Sequence, residues 1–119
     1  MMTTTRTARE IVERYHAAWA ERDLEGARRF LHDDLSFQGP IDTFDNADDY
    51  VAALHRLAAV VEGSEVRGVV AEGDDVVVLL ELKTAIAGAA PVAEWYRVRD
   101  GKIARVQVYF DARPFAPPA

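Results

Sequence analysis

A chain of 119 residues is long enough to bury one core without metals or disulfides, and its lack of cysteine excludes thiol catalysis and thiolate metal sites. Fourteen basic against 20 acidic residues leave a net charge of −6, which disfavours a nucleic-acid partner because no basic stripe is available to release phosphate counterions. No apolar run approaches the ~20 residues of a membrane span, and the opening MMTTTRTARE carries no hydrophobic signal region, so a cytoplasmic protein without a membrane partner is expected.

Thr7 and Glu10 stand at capping-box spacing. Behind them Ile11, Val12, Tyr15, Ala18 and Trp19 recur on one helical face, with the pairs Arg9–Glu13 and Glu10–Arg14 on the other. The spacing predicts an amphipathic helix with Tyr15 and Trp19 one turn apart on its buried stripe. Asp23 caps a short second helix over residues 24–31. Leu35, Ser36 and Phe37 alternate like a short strand that stops at Gly39 and Pro40, and residues 41–46 have the composition of a loop. Asn46 caps a third helix whose positive end suits Asp48 and Asp49. Its stripe is Tyr50, Leu54, Leu57, Ala58 and Val61, with His55 on the flank and Gly63-Ser64 as its end.

Strands follow: 66–71 with Gly68 at a bulge, then the β-branched run 76–86, then 92–99 paired with 102–110 across Asp100-Gly101. Residues 87–91 are expected to be a loop. Residues 1–6 and the proline-rich 112–119 are expected to be loose ends of one domain spanning 1–119. Helices first and antiparallel strands afterwards indicate an α+β fold with the helices on one face of a curved sheet.

That order of elements, with RYHAAWAERDLEGARRFL and WYRVRDGKIARVQVYFD, resembles the nuclear-transport-factor-2-like (NTF2-like) superfamily, and within it the SnoaL-like group of polyketide cyclases. The resemblance implies a cone-like curved antiparallel sheet wrapped on three N-terminal helices, the cystatin-like α+β roll, with a pocket in its open end and homodimers common. It specifies the fold better than the activity, because the superfamily hosts isomerases, cyclases, epoxide hydrolases, dehydratases and non-enzymatic binders. Compared with ketosteroid isomerases, Tyr15 stands where a first-helix Tyr is found, Pro40 matches the Pro after the base, and Glu94 falls at the protonated acid of the oxyanion hole. Gly39 occupies the base position and cannot move a proton. Limonene epoxide hydrolases are similar in the final hairpin, DGKI to YFD, where Asp111 matches their terminal Asp. Val108 stands where they need a further Asp, and residues 76–82 offer no Arg-x-Asp pair.

The register of the last hairpin decides what the pocket contains. Ala104, Val106, Val108 and Phe110 share one face of the final strand, while Ile103, Arg105, Gln107 and Tyr109 share the other; the apolar set should be buried. A two-residue I′ turn pairs Glu94 with Gln107 and turns it outward. A three-residue loop with Gly101 in a G1 bulge pairs Glu94 with Val106 and Tyr96 with Ala104, both inward. Asp-Gly serves either turn, and the family resemblance favours the inward arrangement.

With Glu94 inside, the pocket is lined by Tyr15 and Trp19, by Phe37 or Gln38, and by Glu94 and Tyr96, with His55 within reach of the mouth. Leu80, Leu82, Val106, Val108 and Phe110 form apolar wall. The opposite face, where Trp95 can stack with Arg105, is expected to be a homodimer interface. Glu94 would move a proton while Tyr15 polarises an oxygen. The three histidines form no metal-spaced pair, and no cofactor or metal is expected. These residues suit a cofactor-independent cyclase or isomerase acting on a small apolar, polyketide- or terpenoid-like substrate. The alternative is a non-catalytic module that binds a hydrophobic ligand.

Overall fold

Thr7 opens the first helix as its spacing predicts: its hydroxyl accepts the Glu10 N–H at 3.1 Å and starts α1 (Ala8–Ala20). The structure, a computed structural model, describes residues 6–115. Ile11, Val12, Tyr15 and Trp19 are all buried along α1, and a fully buried large side chain of this kind contributes about 1.5–3 kcal/mol. Arg22 turns the chain with a positive φ of 62°, and Asp23 caps α2 (Leu24–Arg28) by accepting the Gly26 N–H at 2.9 Å.

The second helix is shorter than expected because the sheet captures the chain at Phe30, whose carbonyl accepts the Ile103 N–H at 2.8 Å. Residues from Leu31 on therefore belong to β1 (Leu31–Gln38), with Leu31 and Leu35 fully buried. The segment expected as loop contains β2 (Thr43–Phe44), which pairs Phe44 with Phe37 and Thr43 with Gln38. Asn46 caps α3 (Ala47–Ala58) by accepting the Asp49 N–H at 2.8 Å.

The third helix ends before Val61, so Gly63 and Ser64 lie inside β3 (Val61–Glu72) and do not stop a helix. β3 shifts register between Val66 and Gly68, where the sequence places a bulge. β4 (Asp75–Thr84), β5 (Gly88–Arg99) and β6 (Lys102–Tyr109) complete a meander. The expected loop at 87–91 is mostly strand, with Ala89, Ala90 and Pro91 opposite Lys83, Leu82 and Glu81. The ladder extends there because β4 already offers a long partner edge.

The six strands run in the order β2-β1-β6-β5-β4-β3. The sheet is not wholly antiparallel, since β1 lies parallel to β6. A long crossover through α3, in place of a hairpin, permits that direction.

The final hairpin follows neither expected register. Asp100 (φ 50°) and Gly101 (φ 79°) make a two-residue turn with both φ values positive, closing Arg99 on Lys102 and Val98 on Ile103. One step on, the ladder slips: Arg97 faces Arg105, leaving Ala104 as the extra residue of a β-bulge. Tyr96 then faces Val106 and Glu94 faces Val108. Ile103, expected outside, is fully buried beside Val98, while Val106 and Tyr96 occupy the same inner face beyond the bulge. Glu94 points inward, but through a bulge in β6 and not through a longer turn.

After β6, residues Arg113–Phe115 form one 3₁₀ turn that closes with the Phe115 N–H on the Ala112 carbonyl at 3.0 Å. This part of the expected loose tail is ordered by Phe115 packing edge-on against Phe110, 5.4 Å between ring centres. The rest of both expected loose ends, residues 1–5 and 116–119, lies outside the described residues. Among the described residues, no helix is long and apolar enough to cross a membrane.

Candidate functional site

A cavity of about 230 Å³ opens between α1, α3 and the concave face of the sheet. Three adjacent elements supply its polar floor. α1 contributes Tyr15, His16 and Trp19; β5 contributes Glu94 and Tyr96; α3 contributes Tyr50. Leu80 and Leu82 of β4 and Val108 of β6 form apolar wall, joined by Phe37 and Phe44 from the β1–β2 hairpin. The lining is completed by residues 39–42 and by the two rings Phe110 and Phe115, which pack edge-on with centres 5.4 Å apart.

The floor is organised on one carboxylate oxygen. Glu94 Oε1 accepts the Tyr96 hydroxyl at 2.7 Å, and His16 Nε2 lies 2.9 Å from the same oxygen and 3.0 Å from the Tyr96 hydroxyl. With the Tyr96 proton on Glu94, the second short contact needs a proton from His16, so the count of donors assigns the N–H to Nε2. The imidazole is clamped edge-on between Tyr15 and Tyr96, each ring centre 5.6 Å away. Glu94 Oε2 makes no hydrogen bond among the described residues and is the free acceptor of the group.

A second pair sits beside it. The hydroxyls of Tyr15 and Tyr50 are 2.7 Å apart, which uses one of their two protons and leaves the other for a ligand oxygen. Burial pushes the Tyr15, Tyr50 and Tyr96 phenols well above their ordinary range. Mutual proximity and the Glu94 charge raise Tyr15 further, and the Glu94 charge adds to the shift of Tyr50 and Tyr96. All three therefore remain neutral hydrogen-bond donors at any physiological pH.

Of the residues put forward from the sequence, Glu94, Tyr15, Trp19, Phe37, Tyr96, Val108 and Phe110 line the cavity, together with Leu80 and Leu82. Three expected residues do not. Gln38 follows Phe37 on a strand, so its side chain points to the opposite face, where its Oε1 accepts Gln107 Nε2 at 3.5 Å. His55 is exposed, one residue past Leu54, which carries it about 100° off the lining face of α3. Val106 lies in the core opposite Tyr96 and is fully buried rather than exposed to the cavity. Tyr15 and Glu94 meet in the same cavity without a direct bond, because the Tyr15 hydroxyl is held by Tyr50.

His16, Tyr50, Phe44 and Phe115 are the aromatic contributors that sequence reasoning missed, beside smaller lining residues such as Ala53, Val66 and Val92. His16 was legible in principle, since it stands four residues after Val12 and three before Trp19 on one edge of the buried stripe. Tyr50 was visible only as a core residue of the third helix. Among the described residues, no group of three His, Asp or Glu side chains is placed to hold a metal ion. On the outer face, the Arg105 guanidinium stacks 4.7 Å from the Trp95 ring centre, while Trp95 Nε1 donates to Asp75 at 2.9 Å.

Fold and cavity together define a cone-shaped NTF2-like protein. The SnoaL-like domain family matches residues 12–106, and the chain belongs to that family. No curated protein matches the sequence. A protein from Kribbella flavida is similar at 27% identity and a TM-score of 0.83, covering 89% of this chain and 88% of its own. An NTF2-like protein of unknown function from Cytophaga hutchinsonii is similar at 23% identity and a TM-score of 0.84, over 96% and 98% of the two chains. An epoxide hydrolase from M. tuberculosis, of the limonene-epoxide-hydrolase-like kind, shares the fold at 23% identity and a TM-score of 0.73, over 88% and 83%. Here the cavity holds Val108 as apolar wall, and the carboxylates among its lining residues are Glu94 and Asp42.

Proposed function

We propose that this protein is a cofactor-independent acid–base enzyme of the SnoaL-like kind, acting on a compact, largely apolar substrate of polyketide or terpenoid character. One observation carries the proposal: Glu94 faces the cavity with one oxygen fixed by Tyr96 and His16 and the other free. A carboxylate held in this way is oriented for proton transfer, and the spare proton of the Tyr15–Tyr50 pair stabilises charge developing on a substrate oxygen. The cavity volume of about 230 Å³ is below the ~300–1,000 Å³ of drug-sized ligand sites, which favours a compact substrate.

Proton transfer is tested without the natural substrate by following deuterium incorporation next to the carbonyl of 2-methylcyclohexanone in deuterated buffer. The expected result is exchange above the buffer rate that falls about 10²–10⁴-fold in Glu94→Gln. Undiminished exchange in a folded Glu94→Gln protein removes Glu94 from the mechanism.

The alternative is a non-catalytic binder of a hydrophobic ligand, supported by Gly39 in the position of the isomerase base and by the absence of a carboxylate at Val108. Tight binding of the same ketone with no exchange above buffer favours it.

A homodimer through the outer sheet face belongs to the same proposal. Val70, Leu79 and Tyr109 are 62%, 43% and 53% exposed there, a band too apolar for plain solvent surface. Sedimentation at micromolar concentration is expected to give a dimer that Leu79→Glu dissociates; a monomer in both proteins overturns this part.

A further inference from the structure

We propose that the cavity selects its ligand by charge: it takes a compact apolar molecule whose polar end is an amine, accepts the matching alcohol less well, and rejects the matching carboxylate. The inference rests on the inward Glu94 of the cavity above and goes beyond that reading by adding an amine-bearing ligand to the oxygenated substrate proposed there.

The donor and acceptor inventory carries the argument. Glu94 Oε2 is an unshared carboxylate oxygen at the floor, and Asp42 is the other acidic residue of the lining. Among the described residues, no Lys or Arg lines the cavity. The remaining residues, 1–5 and 116–119, contain none in their sequence. His16, in the lining itself, is already held against Glu94 Oε1 and the Tyr96 hydroxyl, and the two guanidinium groups close by are both engaged. Arg22 lies over the Trp19 ring at 5.2 Å with its guanidinium donating to the Val61 carbonyl at 3.1 Å. Arg113 is clamped by Asp111, with contacts from 2.7 to 3.1 Å.

A ligand carboxylate would leave water to face Glu94, with one spare phenol proton from the Tyr15–Tyr50 pair as compensation. Two like charges in a desolvated site oppose each other strongly. A ligand ammonium instead finds an open carboxylate oxygen with which it forms a charge pair, in a cavity whose lining is otherwise mostly apolar and aromatic. An alcohol gains the hydrogen bond to Glu94 but no charge pairing.

Four probes on one carbon frame separate these terms: benzylamine, benzyl alcohol, benzoate and toluene, measured by calorimetry or ligand-observed NMR at neutral pH. Benzylamine is expected to bind about tenfold or more tighter than benzoate, with benzyl alcohol between, because only the amine gains a charge-assisted bond to Glu94 while benzoate meets a like charge. In Glu94→Gln that preference should collapse to within about twofold while toluene binding is retained.

Benzoate binding as tightly as benzylamine overturns the inference. So does an amine preference that survives in Glu94→Gln, which would trace it to the acidic net charge elsewhere. If toluene binds but the amine gains nothing over it, charge selection falls and the cavity stands. If none of the four binds, charge selection falls, and ketone exchange decides separately whether the acid–base cavity stands. Should Glu94→Gln fail to fold, intermolecular NOEs in the unaltered protein decide. Contacts from the benzylamine methylene to the Tyr96 ring support the proposal, and contacts confined to exposed residues overturn it.

Discussion

His16 Nε2 and Glu94 Oε1 stand 2.9 Å apart on the cavity floor, brought together only by the packing of α1 against β5. Their side chains are 17% and 19% exposed, so this contact is shielded in a way that the surface pairs of the protein are not. Removing it leaves a half-buried carboxylate with one fewer donor. His16→Ala should cost about 1–3 kcal/mol in urea unfolding. His16→Gln, which can still present an N–H, should recover part of that loss and part of the ketone exchange rate. Equal stability of all three proteins would remove His16 from the floor network.

The Tyr15–Tyr50 contact at 2.7 Å is buried on both sides and can be measured by a double-mutant cycle. Each Tyr→Phe change should destabilise by about 1–2 kcal/mol, since the partner hydroxyl is left without its bond. Removing both should cost less than the sum, with a coupling of about 0.5 kcal/mol or more. Additive losses would mean that the two hydroxyls do not share a proton.

The turn and the bulge of the last hairpin can be tested separately. Gly101→Ala places a Cβ at φ 79° and should cost about 1–2 kcal/mol by chemical denaturation. Asp100, at φ 50°, should tolerate glycine with little change. Deleting Ala104 is the sharper experiment. It removes the extra residue while leaving Arg97 opposite Arg105, Tyr96 opposite Val106 and Glu94 opposite Val108, so the deletion protein should keep Glu94 inward and retain ketone exchange. A folded deletion protein that loses ketone exchange would show that the bulge itself, beyond the pairing it produces, is needed to hold Glu94 in the cavity.

Asp111 holds the C-terminal turn, and its carboxyl is drawn down to about 2 by the Arg113 side chain, then by the Arg113 backbone N–H. A carboxylate whose folded value lies below the unfolded 3.8 contributes stability above that unfolded value and loses it as pH falls through about 2. The group is fully exposed, so the effect belongs to the local turn and not to global stability. An NMR titration of the Asp111 carboxyl should show a midpoint near 2 that returns toward ~3.9 in Arg113→Ala. Loss of the edge-on contact between Phe115 and Phe110 should accompany that change.

The helices were legible because their signals are local. Thr7, Asp23 and Asn46 each accept an N–H three residues on, and the stripe from Ile11 to Trp19 is buried where its period puts it. The meander from β3 to β6 was legible from β-branched runs punctuated by Glu-Gly-Asp and Asp-Gly. Strand ends were not. Leu31 left its helix and Gly88 to Pro91 left their loop because partner edges were available to them, and those edges lie far away in the chain.

By itself, the sequence indicated an α+β cone of the SnoaL-like family, put Tyr15, Glu94 and Tyr96 forward as pocket residues while leaving the direction of Glu94 open between two turns, and offered Trp95 and Arg105 as a stacking pair on the outer face. Capping, periodicity and turn chemistry act over a few residues, which is why they can be read directly. The tertiary structure decided what holds Glu94 and why it points inward. The Ala104 bulge, invisible in a strand whose alternation looks unbroken, shifts the ladder by one residue and buries Ile103 as well as Val106. His16 reaches Glu94, and Tyr15 turns to Tyr50, only because α1, α3 and β5 meet at one end of the cone. Such contacts depend on the relative placement of elements that no local pattern encodes.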